Sequence, residues 1–492
     1  MNIDFDNSYA RLPSHFFARV SATQVREPRL IKVNHALAQL LGLDPEFLES
    51  PEGTAMLAGN TLPAGGASIA LAYAGHQFGG FVPQLGDGRA ILLGEVVGRD
   101  GVRRDIQLKG AGRTPFSRGG DGRAALGPVL REYVVSEAMA ALGVPTTRAL
   151  AAVSTGEQVV RERRLPGAVL TRVASSHLRV GTFQFFAARD DQEALRTLTA
   201  YALARHYPTH ADVAADQRAL RLLECVQNAQ ASLVARWLGV GFVHGVMNTD
   251  NSSISGETID YGPCAFLDDY QANKKFSSID HGGRYAFANQ PRIAQWNLAR
   301  LAETLLPLIS EDEARAVALA SACLQRFPEI FEAEYQSVLR KKLGLQRAEE
   351  QDSALAEDLF QRLEQNRVDY TVFFRALCAA SEDASKDAEA AAGFARPEAF
   401  HDWAAVWRAR LARDGSLGPG ERERSMRLAN PAFIPRNHQV ERAIVAAESG
   451  NFELFETLVR VLEHPYEEQP EAVELARPPR PEERVNATFC GT

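Results

Sequence analysis

The 492-residue sequence has few cysteines and no long hydrophobic run. Its five cysteines form no C-x-x-C pair and no cysteine–histidine spacing, which argues against a zinc site. No segment approaches the roughly 18 apolar residues that a membrane helix needs, so we expect no membrane partner. The first residues are acidic and lack the apolar core of a signal peptide, which favours a cytoplasmic protein.

The sequence also lacks a surplus of basic residues. Its formal net charge is −8, so we do not expect nucleic acid as a partner. Apolar residues make up 45% and charged residues 24%, which is typical of a globular protein. Any site for an anionic ligand must therefore be built from a local cluster of basic side chains. Arginine far outnumbers lysine, a bias common in bacteria with GC-rich genomes.

The distribution of periodic segments predicts an α+β fold with strands first and helices second. Residues 1–65 read as a helical N-terminal extension, and residues 66–180 as a strand-rich lobe with glycine-rich turns. Residues 181–464 are mostly helical, and the proline- and glutamate-rich residues 465–492 read as an extended tail. This order is similar to that of a two-lobed protein-kinase-like fold, with a strand-rich N-lobe and a large helical C-lobe.

Individual elements follow from the same patterns. Alternating and β-branched segments predict strands at 90–97, 105–108, 149–153, 158–161, 168–173 and 257–259. Apolar residues at helical spacing predict helices at 124–142, 191–206 and 215–238, and long helices from about 295 to 463.

Lys109 ends the predicted strand at 105–108, and Glu132 lies 23 residues later in the following helix. In a kinase-like lobe, a lysine here contacts the nucleotide phosphates and a glutamate of the next helix holds it in place. Glu137 is the second candidate for that partner. The alternative is that Lys109 and Glu132 are ordinary solvated surface charges.

Two glycine-rich segments flank these residues and predict phosphate-binding turns, because glycine lets backbone N–H groups approach phosphate oxygens closely. Basic residues near them could form a local positive pocket, since arginine binds phosphate in a bidentate manner. Each of these arginines could instead be paired structurally. The first segment contains Gly86, Gly88 and Arg89, and the second contains Asp121 and Gly122. The basic candidates for the pocket are Lys109, Arg113, Arg118, Arg123, Arg172 and Arg179, and His177 lies between the last two.

The sequence from His244 to Asn251, followed by Asp260, is the most informative motif. It resembles the loop His-Gly-Asp-x-x-x-x-Asn of small-molecule kinases, in which the Asp accepts a proton and the Asn and a later Asp bind Mg²⁺. Asn251 and Asp260 keep the metal-binding positions, but Val246 replaces the base. Asp250 is the one carboxylate in this loop that could take over the role, although Asp also favours turns.

These residues resemble the selenoprotein O (YdiU) family of protein adenylyltransferases, pseudokinase-fold enzymes. The resemblance covers essentially the whole chain. The matching segments are Ala74–Gly79, Gln84–Arg89, Leu108–Gly112, Thr114–Arg118, His244–Asn251, Ile259–Pro263, Gly283–Tyr285, Asn430–Pro431, Ile434–His438 and Phe489–Thr492.

The resemblance implies a function and a set of roles. Members bind ATP reversed relative to ordinary kinases and transfer AMP to Ser, Thr or Tyr hydroxyls of proteins, and UMP transfer from UTP with Mn²⁺ is also ascribed to bacterial members. Asp250 would be the proton acceptor, and Asn251 and Asp260 would bind Mg²⁺ or Mn²⁺. The implied nucleotide contacts are Gly86, Gly88, Arg89, Lys109, Asp121, Gly122, Arg172, Arg179 and Asp260, with Glu132 supporting Lys109.

The resemblance also implies a redox hypothesis for the terminal cysteine. Some bacterial members link that residue to a cysteine after the metal Asp. Here Cys264 is the nearest candidate partner for Cys490. Two other functions stay open at this point, namely ordinary ATP-dependent phosphotransfer with Asp250 as base, and regulation by a catalytically inactive nucleotide-binding pseudokinase.

Overall fold

The computed structural model describes residues 3–415, 417–418 and 420–488. Within them a strand-rich part precedes a long succession of helices, in agreement with the predicted α+β class. The strands are β1 (Phe17–Arg19), β2 (Arg29–Val33), β3 (Ile69–Leu71), β4 (Gly75–Gln77), β5 (Gly80–Val82), β6 (Ala90–Val97), β7 (Arg103–Lys109), β8 (Ala124–Ala125), β9 (Arg148–Val160), β10 (Arg164–Ala174), β11 (Phe242–Val243) and β12 (Ala265–Phe266).

The α-helices begin close to the N-terminus and dominate after β10. They are α1 (His35–Leu40), α2 (Pro45–Glu49), α3 (Pro51–Leu57), α4 (Leu126–Ala141), α5 (Val180–Ala187), α6 (Gln192–His206), α7 (Arg218–Val240), α8 (Gln290–Ile309), α9 (Glu313–Gln325), α10 (Phe327–Leu343), α11 (Asp352–Asn366), α12 (Tyr370–Ala380), α13 (Asp387–Ala391), α14 (Pro397–Arg413), α15 (Glu421–Arg427), α16 (Asn437–Glu448), α17 (Glu453–Leu462) and α18 (Val473–Ala476). No helix in the described ranges is long and apolar enough to span a bilayer.

The main sheet is antiparallel and has the order β1-β3-β6-β7-β10-β9-β2, with β8 added beside β10. In the β7–β10 pair, Lys109 lies opposite Leu170 and Gln107 lies opposite Arg172. Side chains two residues apart on a strand share a face, and so do directly opposed ones. The register therefore places Gln107, Lys109 and Arg172 on one face of the sheet.

Helix α4 packs against that sheet and is buried on nearly all sides. Leu130, Val134 and Ala138, predicted to share an apolar face, are buried in one cluster with residues of β9, β10, α16 and α17. Helices α16 and α17 pack against α4 as well as the sheet does. A helix enclosed on all sides can keep a charged residue only where that residue finds a partner. This constraint bears directly on Glu132, which is buried in the middle of α4.

Most predicted elements are confirmed. The strand at 90–97 matches β6, and the helices at 124–142, 191–206 and 215–238 correspond to α4, α6 and α7. The separate strands at 149–153 and 158–161 are one continuous strand, β9.

Two predictions of local structure are wrong. Residues 1–65 are not only helical, because β1 and β2 form the two ends of the main sheet. The strand expected at 257–259 is reduced to an isolated bridge between Thr146 and Thr258. Instead of pairing in a ladder, the chain there is held by the Glu257 carboxylate, which accepts hydrogen bonds from the N–H and hydroxyl of Ser175.

The segment that carries the metal motif is a closed loop. Helix α7 ends at Gly241, which adopts the left-handed conformation (φ 75°) that glycine tolerates best. Strand β11 follows directly and pairs with β12, so Val243 lies opposite Ala265. The loop of residues 244–264 therefore begins and ends at the same two-stranded ribbon. This brings His244 and Asp260 together.

A buried ion cluster joins α6 to the sheet. Arg205 of α6 lies 2.7 Å from Glu95 of β6 and 2.5 Å from Asp105 of β7. Asp105 also accepts a hydrogen bond from Nδ1 of His177, at 2.9 Å. Burial lowers the pKa of His177 to about 4, so its ring is neutral at pH 7 and Arg205 supplies the positive charge. His177, which lies between Arg172 and Arg179 in the sequence, is therefore a neutral structural residue of this cluster.

We predict that Arg205→Ala destabilises the protein by about 3–5 kcal/mol, because two buried carboxylates lose their main counter-charge. Arg196→Ala is the matched control on the same helix, since its pair with Glu193 is exposed and 3.8 Å long. The control should change stability by less than about 0.5 kcal/mol. Urea denaturation curves measure both, and equal midpoints for the two variants would contradict the assignment.

Candidate active site

A cavity of about 540 Å³ collects almost every residue singled out in the sequence. It lies where the glycine-rich turns of the strand-rich part face the loop 244–264. Its lining includes Gly86, Gly88, Arg89, Lys109, Asp121, Gly122, Arg172, Arg179, Asp250, Asn251 and Asp260. Glu132 lines an adjoining cavity of about 970 Å³, which Arg89 and Lys109 also border.

Asp260 is the centre of this cavity's charge network. Its Oδ1 lies 3.0 Å from Lys109 Nζ and 2.6 Å from Arg172 Nη1. Its Oδ2 lies 2.6 Å from Arg179 Nη1. Burial alone would raise the pKa of Asp260, but the three cations hold it well below its usual range. The carboxylate is therefore ionised and shared among three positive side chains.

Each of the three cations is held by further contacts. Lys109 Nζ lies 2.5 Å from Glu132 Oε2, which is the partner that the sequence spacing favoured. The second candidate, Glu137, instead pairs with Arg148 at 2.7 Å. Arg172 donates to Gln107 Oε1 from both Nε and Nη2, at 3.2 and 2.6 Å.

Arg179 connects the network to the loop that precedes Asn251. It donates from Nη1 to the backbone carbonyl of Asp250 at 2.7 Å, and its guanidinium stacks 4.6 Å from the centre of the Tyr73 ring. Arg179 Nη2 also lies 3.9 Å from Asp87. Burial raises the pKa of Asp87 to about 6. Near neutral pH a fraction of this carboxyl group is therefore protonated, and it neutralises less than the full positive charge of Arg179.

The two glycine-rich segments fold directly onto each other. A Cβ on Gly86 would lie 2.3 Å from the ring of Phe116, and one on Gly122 would lie 2.0 Å from the carbonyl oxygen of Gly112. Both glycines also have positive φ angles, 79° and 69°. Thr114 donates from its hydroxyl to the Asp87 carbonyl at 2.6 Å. Only glycine fits these positions, and the contacts bring two turns of backbone N–H groups to one cavity wall.

His244 holds the loop together rather than contacting the cavity. Its ring is buried, with Nε2 2.9 Å from the Ile259 carbonyl and Nδ1 3.3 Å from the Val246 N–H. Burial lowers the pKa of His244, so the neutral ring donates from Nε2 and accepts at Nδ1. The ring thus fixes the distance between the Asp250 side of the loop and Asp260.

Asp250 is buried beside a hairpin formed by β4 and β5. Its Oδ2 accepts a hydrogen bond from Gln77 Nε2 at 3.1 Å. Its Oδ1 is buried and has no hydrogen-bond partner in the described part of the chain. Burial raises the pKa of Asp250 to about 6. A carboxylate with one fixed and one unpartnered oxygen is suited to accept a proton from a ligand.

Gln77 is the residue of this site that the sequence analysis missed. The segment Ala74–Gly79 is a motif of the sequence, but glutamine does not titrate and this segment lies far from the metal positions along the chain, so the sequence assigns no role to Gln77. The signal available in the sequence was Gly75, whose Cβ would lie 2.7 Å from Asp250 Oδ1. A glycine in a strand often marks the close approach of another group.

Several predicted residues lie outside the site or serve its framework. Arg113 does not line the cavity and donates to the Gly120 carbonyl at 3.0 Å. Arg118 and Arg123 do line it, but Arg123 also pairs with Glu157 at 3.2 Å. Cys264 is buried, and Cys490 lies outside the described residues, so their disulfide stays a hypothesis.

Asn251 and Asp260 offer oxygen ligands of the kind that Mg²⁺ and Mn²⁺ prefer. The Asn251 amide nitrogen donates to the Val246 carbonyl at 2.9 Å, so Oδ1 is the atom that can act as a ligand. No group of three or more His, Cys, Asp or Glu side chains suited to a metal occurs in the described ranges. The donor set therefore fits a cation whose remaining ligands come from nucleotide phosphates and water.

Comparison with known proteins identifies the family. The family model described as "Protein adenylyltransferase SelO" matches residues 1–463. The chain belongs to the SelO family. Among relatives named "Protein nucleotidyltransferase YdiU", those of Rhodopseudomonas palustris (strain BisB5) and Bradyrhizobium diazoefficiens are 60% and 61% identical, each over 100% of both chains. A relative from Methylorubrum extorquens is 62% identical over 99% of both chains. SelO membership makes this chain a nucleotidyltransferase.

We predict opposite effects of Asp260→Asn on two kinds of nucleotide binding. Without metal, ATP should bind this variant about tenfold more tightly, because three cations lose the carboxylate that competes with phosphate. With Mn²⁺, the metal-dependent gain in ATP affinity should disappear. Calorimetric titrations with ATP, with and without Mn²⁺, measure both effects, and Asp250→Asn serves as a control that keeps the metal-dependent gain. Unchanged Mn²⁺ dependence in Asp260→Asn would refute the ligand assignment.

Proposed function

We propose that this protein transfers AMP from ATP to Ser, Thr or Tyr hydroxyls of other proteins and releases pyrophosphate, and that it also accepts UTP and transfers UMP. The observation that carries the proposal is the cluster of Lys109, Arg172 and Arg179 around the half-buried carboxylate of Asp260. When a cation and a nucleotide occupy the cavity, these side chains are in position to hold a triphosphate tail. The names of the relatives point to the same chemistry.

The proposed architecture is a two-lobed kinase-like fold. In the sheet, β7, β10 and β9 are neighbours, and along the chain α4 lies between β7 and β9. This arrangement supports the proposal, and so does the Lys109–Glu132 ion pair, which joins β7 to α4. In this proposal residues 66–180 form the N-lobe, residues 181–464 the C-lobe, residues 1–65 an N-terminal extension and residues 465–492 a tail. The nucleotide lies between the lobes with its γ-phosphate towards Lys109 and its α-phosphate towards Asn251 and Asp260.

In the proposed reaction Asp250 takes the proton of the acceptor hydroxyl. The hydroxyl oxygen forms a bond to the α-phosphorus, and the bond from that phosphorus to the β-phosphate bridging oxygen breaks. The electron pair leaves with pyrophosphate, whose negative charge Lys109, Arg172 and Arg179 stabilise. Mg²⁺ or Mn²⁺ held by Asn251 and Asp260 would supply further neutralisation of phosphate charge. Gln77 keeps Asp250 oriented, so that Oδ1 faces the acceptor.

Val246 separates this proposal from ordinary phosphotransfer. It occupies the position where small-molecule kinases carry their base, is 8% exposed, and lines the cavity. An apolar side chain there cannot accept a proton. Asp250, four residues later, is the nearest carboxylate along the chain. Because it lies beside Asn251, it is suited to take the proton of a hydroxyl that attacks a phosphate next to the metal.

Labelled ATP tests the reaction directly. We predict that label from the α-phosphate becomes covalently attached to protein, whereas label from the γ-phosphate is released as pyrophosphate. Incubation of the protein and an extract with each form of ATP, followed by denaturing electrophoresis, measures the transfer. Attachment of γ-label would identify a kinase, and attachment of neither label would favour a catalytically inactive pseudokinase.

Variants of the charge cluster should remove this activity. Asp260→Ala should abolish α-label transfer, and Lys109→Ala should reduce it about 100-fold or more, by analogy with the loss of one oxyanion donor. Lys386→Ala is the matched control, because Lys386 is exposed and its ion pair within the described part of the chain is with Glu389. The rate of α-label transfer measures each effect. Full activity of Asp260→Ala would remove the basis of the proposal.

A further inference from the structure

A cationic platform lies beside Asp250 at the edge of the nucleotide cavity, and its arginines do not line that cavity. Its centre is Arg284, whose guanidinium stacks 4.6 Å from the centre of the Trp296 ring. Arg300, one turn further along α8, stacks on the same ring at 4.9 Å. Trp296 also contacts His76 of β4, with ring centres 5.3 Å apart. We call Arg284, Trp296 and the hairpin β4–β5 the acceptor platform.

Several hydrogen bonds join the platform to Asn248 and Thr249 of the loop 244–264. The His76 N–H donates to Thr249 Oγ1 at 2.6 Å, and the Phe78 N–H donates to Asn248 Oδ1 at 3.1 Å. The Tyr285 hydroxyl donates to the same Asn248 oxygen at 2.7 Å. The hairpin that carries Gln77 to Asp250 is thus also tied to the residue next to Arg284.

Arg284 lies close to the turn of that hairpin. Its guanidinium carbon would be 3.8 Å from a Cβ on Gly79, and Gly79 is two residues from Gln77. Two residues of extended chain span at most about 7 Å. In an extended peptide, a residue up to about five positions from a hydroxyl placed at Asp250 is therefore within reach of Arg284.

The guanidinium of Arg284 has no ion pair among the residues that the structure describes. Arg300 pairs with Glu303 at 2.5 Å, whereas the Asp280 carboxylate accepts only from the backbone N–H of Arg284, at 2.8 Å. Nε and Nη2 of Arg284 are covered by the protein and have no hydrogen-bond partner there. Nη1 is not among the buried atoms, so a carboxylate from a second molecule would pair with the guanidinium through Nη1 in a charge-assisted hydrogen bond.

Two exposed apolar residues border the same area. Phe81 is 43% exposed and packs on His76, with ring centres 4.9 Å apart. Ile279 is 58% exposed and lines the nucleotide cavity. Apolar side chains beside an unmatched arginine are typical of a protein-binding surface, in which the apolar contacts provide affinity and the charge provides specificity.

We infer that the acceptor platform binds an extended segment of the protein substrate that carries an acidic residue within five residues of the acceptor hydroxyl. The inference rests on the proposed AMP transfer and adds a substrate class to it. Arg284 contacts the acidic side chain, and Phe81 and Ile279 contact apolar neighbours. Gly283–Tyr285 and Ala74–Gly79, the second of which also supplies Gln77 to Asp250, together form this surface.

Synthetic peptides test the inference. Each peptide carries one Ser, Thr or Tyr, with Glu, Ala or Lys at each position up to five residues on either side, and is incubated with α-labelled ATP. The wild-type protein should modify the best Glu peptides with a kcat/KM at least about tenfold above that of the Ala peptides. Arg284→Gln should remove the preference, and Arg284→Glu should reverse it in favour of Lys. The change should fall mainly on KM, because the contact is made before and during the reaction alike.

Arg315→Glu is the control, since Arg315 is an exposed arginine on α9 and makes no ion pair within 4.0 Å among the described residues. It should leave the peptide preference unchanged. Equal modification of Glu and Ala peptides by the wild type, or an unaltered preference in Arg284→Glu, would overturn the inference while leaving AMP transfer standing. Absence of α-label from every peptide and from the enzyme itself would overturn the proposed function, and the inference with it.

Discussion

The arrangement of the site depends on one half-buried carboxylate, that of Asp260, shared by three cations. Lys109, Arg172 and Arg179 all lie within 3.0 Å of Asp260 oxygens. Burial of a single ion of either sign would be strongly unfavourable, and removal of one partner from such a cluster leaves charge uncompensated. The strands that carry Lys109 and Arg172 are therefore tied electrostatically to the loop that carries Asp260.

In the proposed function, ligands would replace the ion pairs of this cluster. A divalent cation would compete with the three basic side chains for Asp260, and phosphate oxygens would compete with Asp260 for those side chains. Joint binding of cation and nucleotide would replace each lost ion pair with another, so little charge would be left unmatched. This balance would favour the metal–nucleotide complex over either component alone and would let a chain with net charge −8 hold a polyanion.

Much of the fold could be predicted because its strongest signals are local. The alternation in β6 and the helical spacing in α4 lie within single elements, and the order of Lys109 and Glu132 across them indicated their pairing. Asn251 and Asp260 could be proposed as metal ligands because metal chemistry restricts residue type, and that role stays a prediction. By contrast, β1 and β2 are short strands that form by pairing with distant parts of the sheet. The contacts of Gln77 with Asp250 and of Arg284 with Trp296 likewise arise only when remote segments meet.

The central claim is that Asn251 and Asp260 hold a cation against the α-phosphate of a nucleotide whose triphosphate tail points towards Lys109. A crystal structure with a non-hydrolysable ATP analogue and Mn²⁺, in which anomalous scattering locates the metal, tests this most directly. We predict an anomalous peak between Asn251 and Asp260, with the γ-phosphate beside Lys109 and Gly122. Adenine in place of the γ-phosphate, or no metal between those two side chains, would contradict the account.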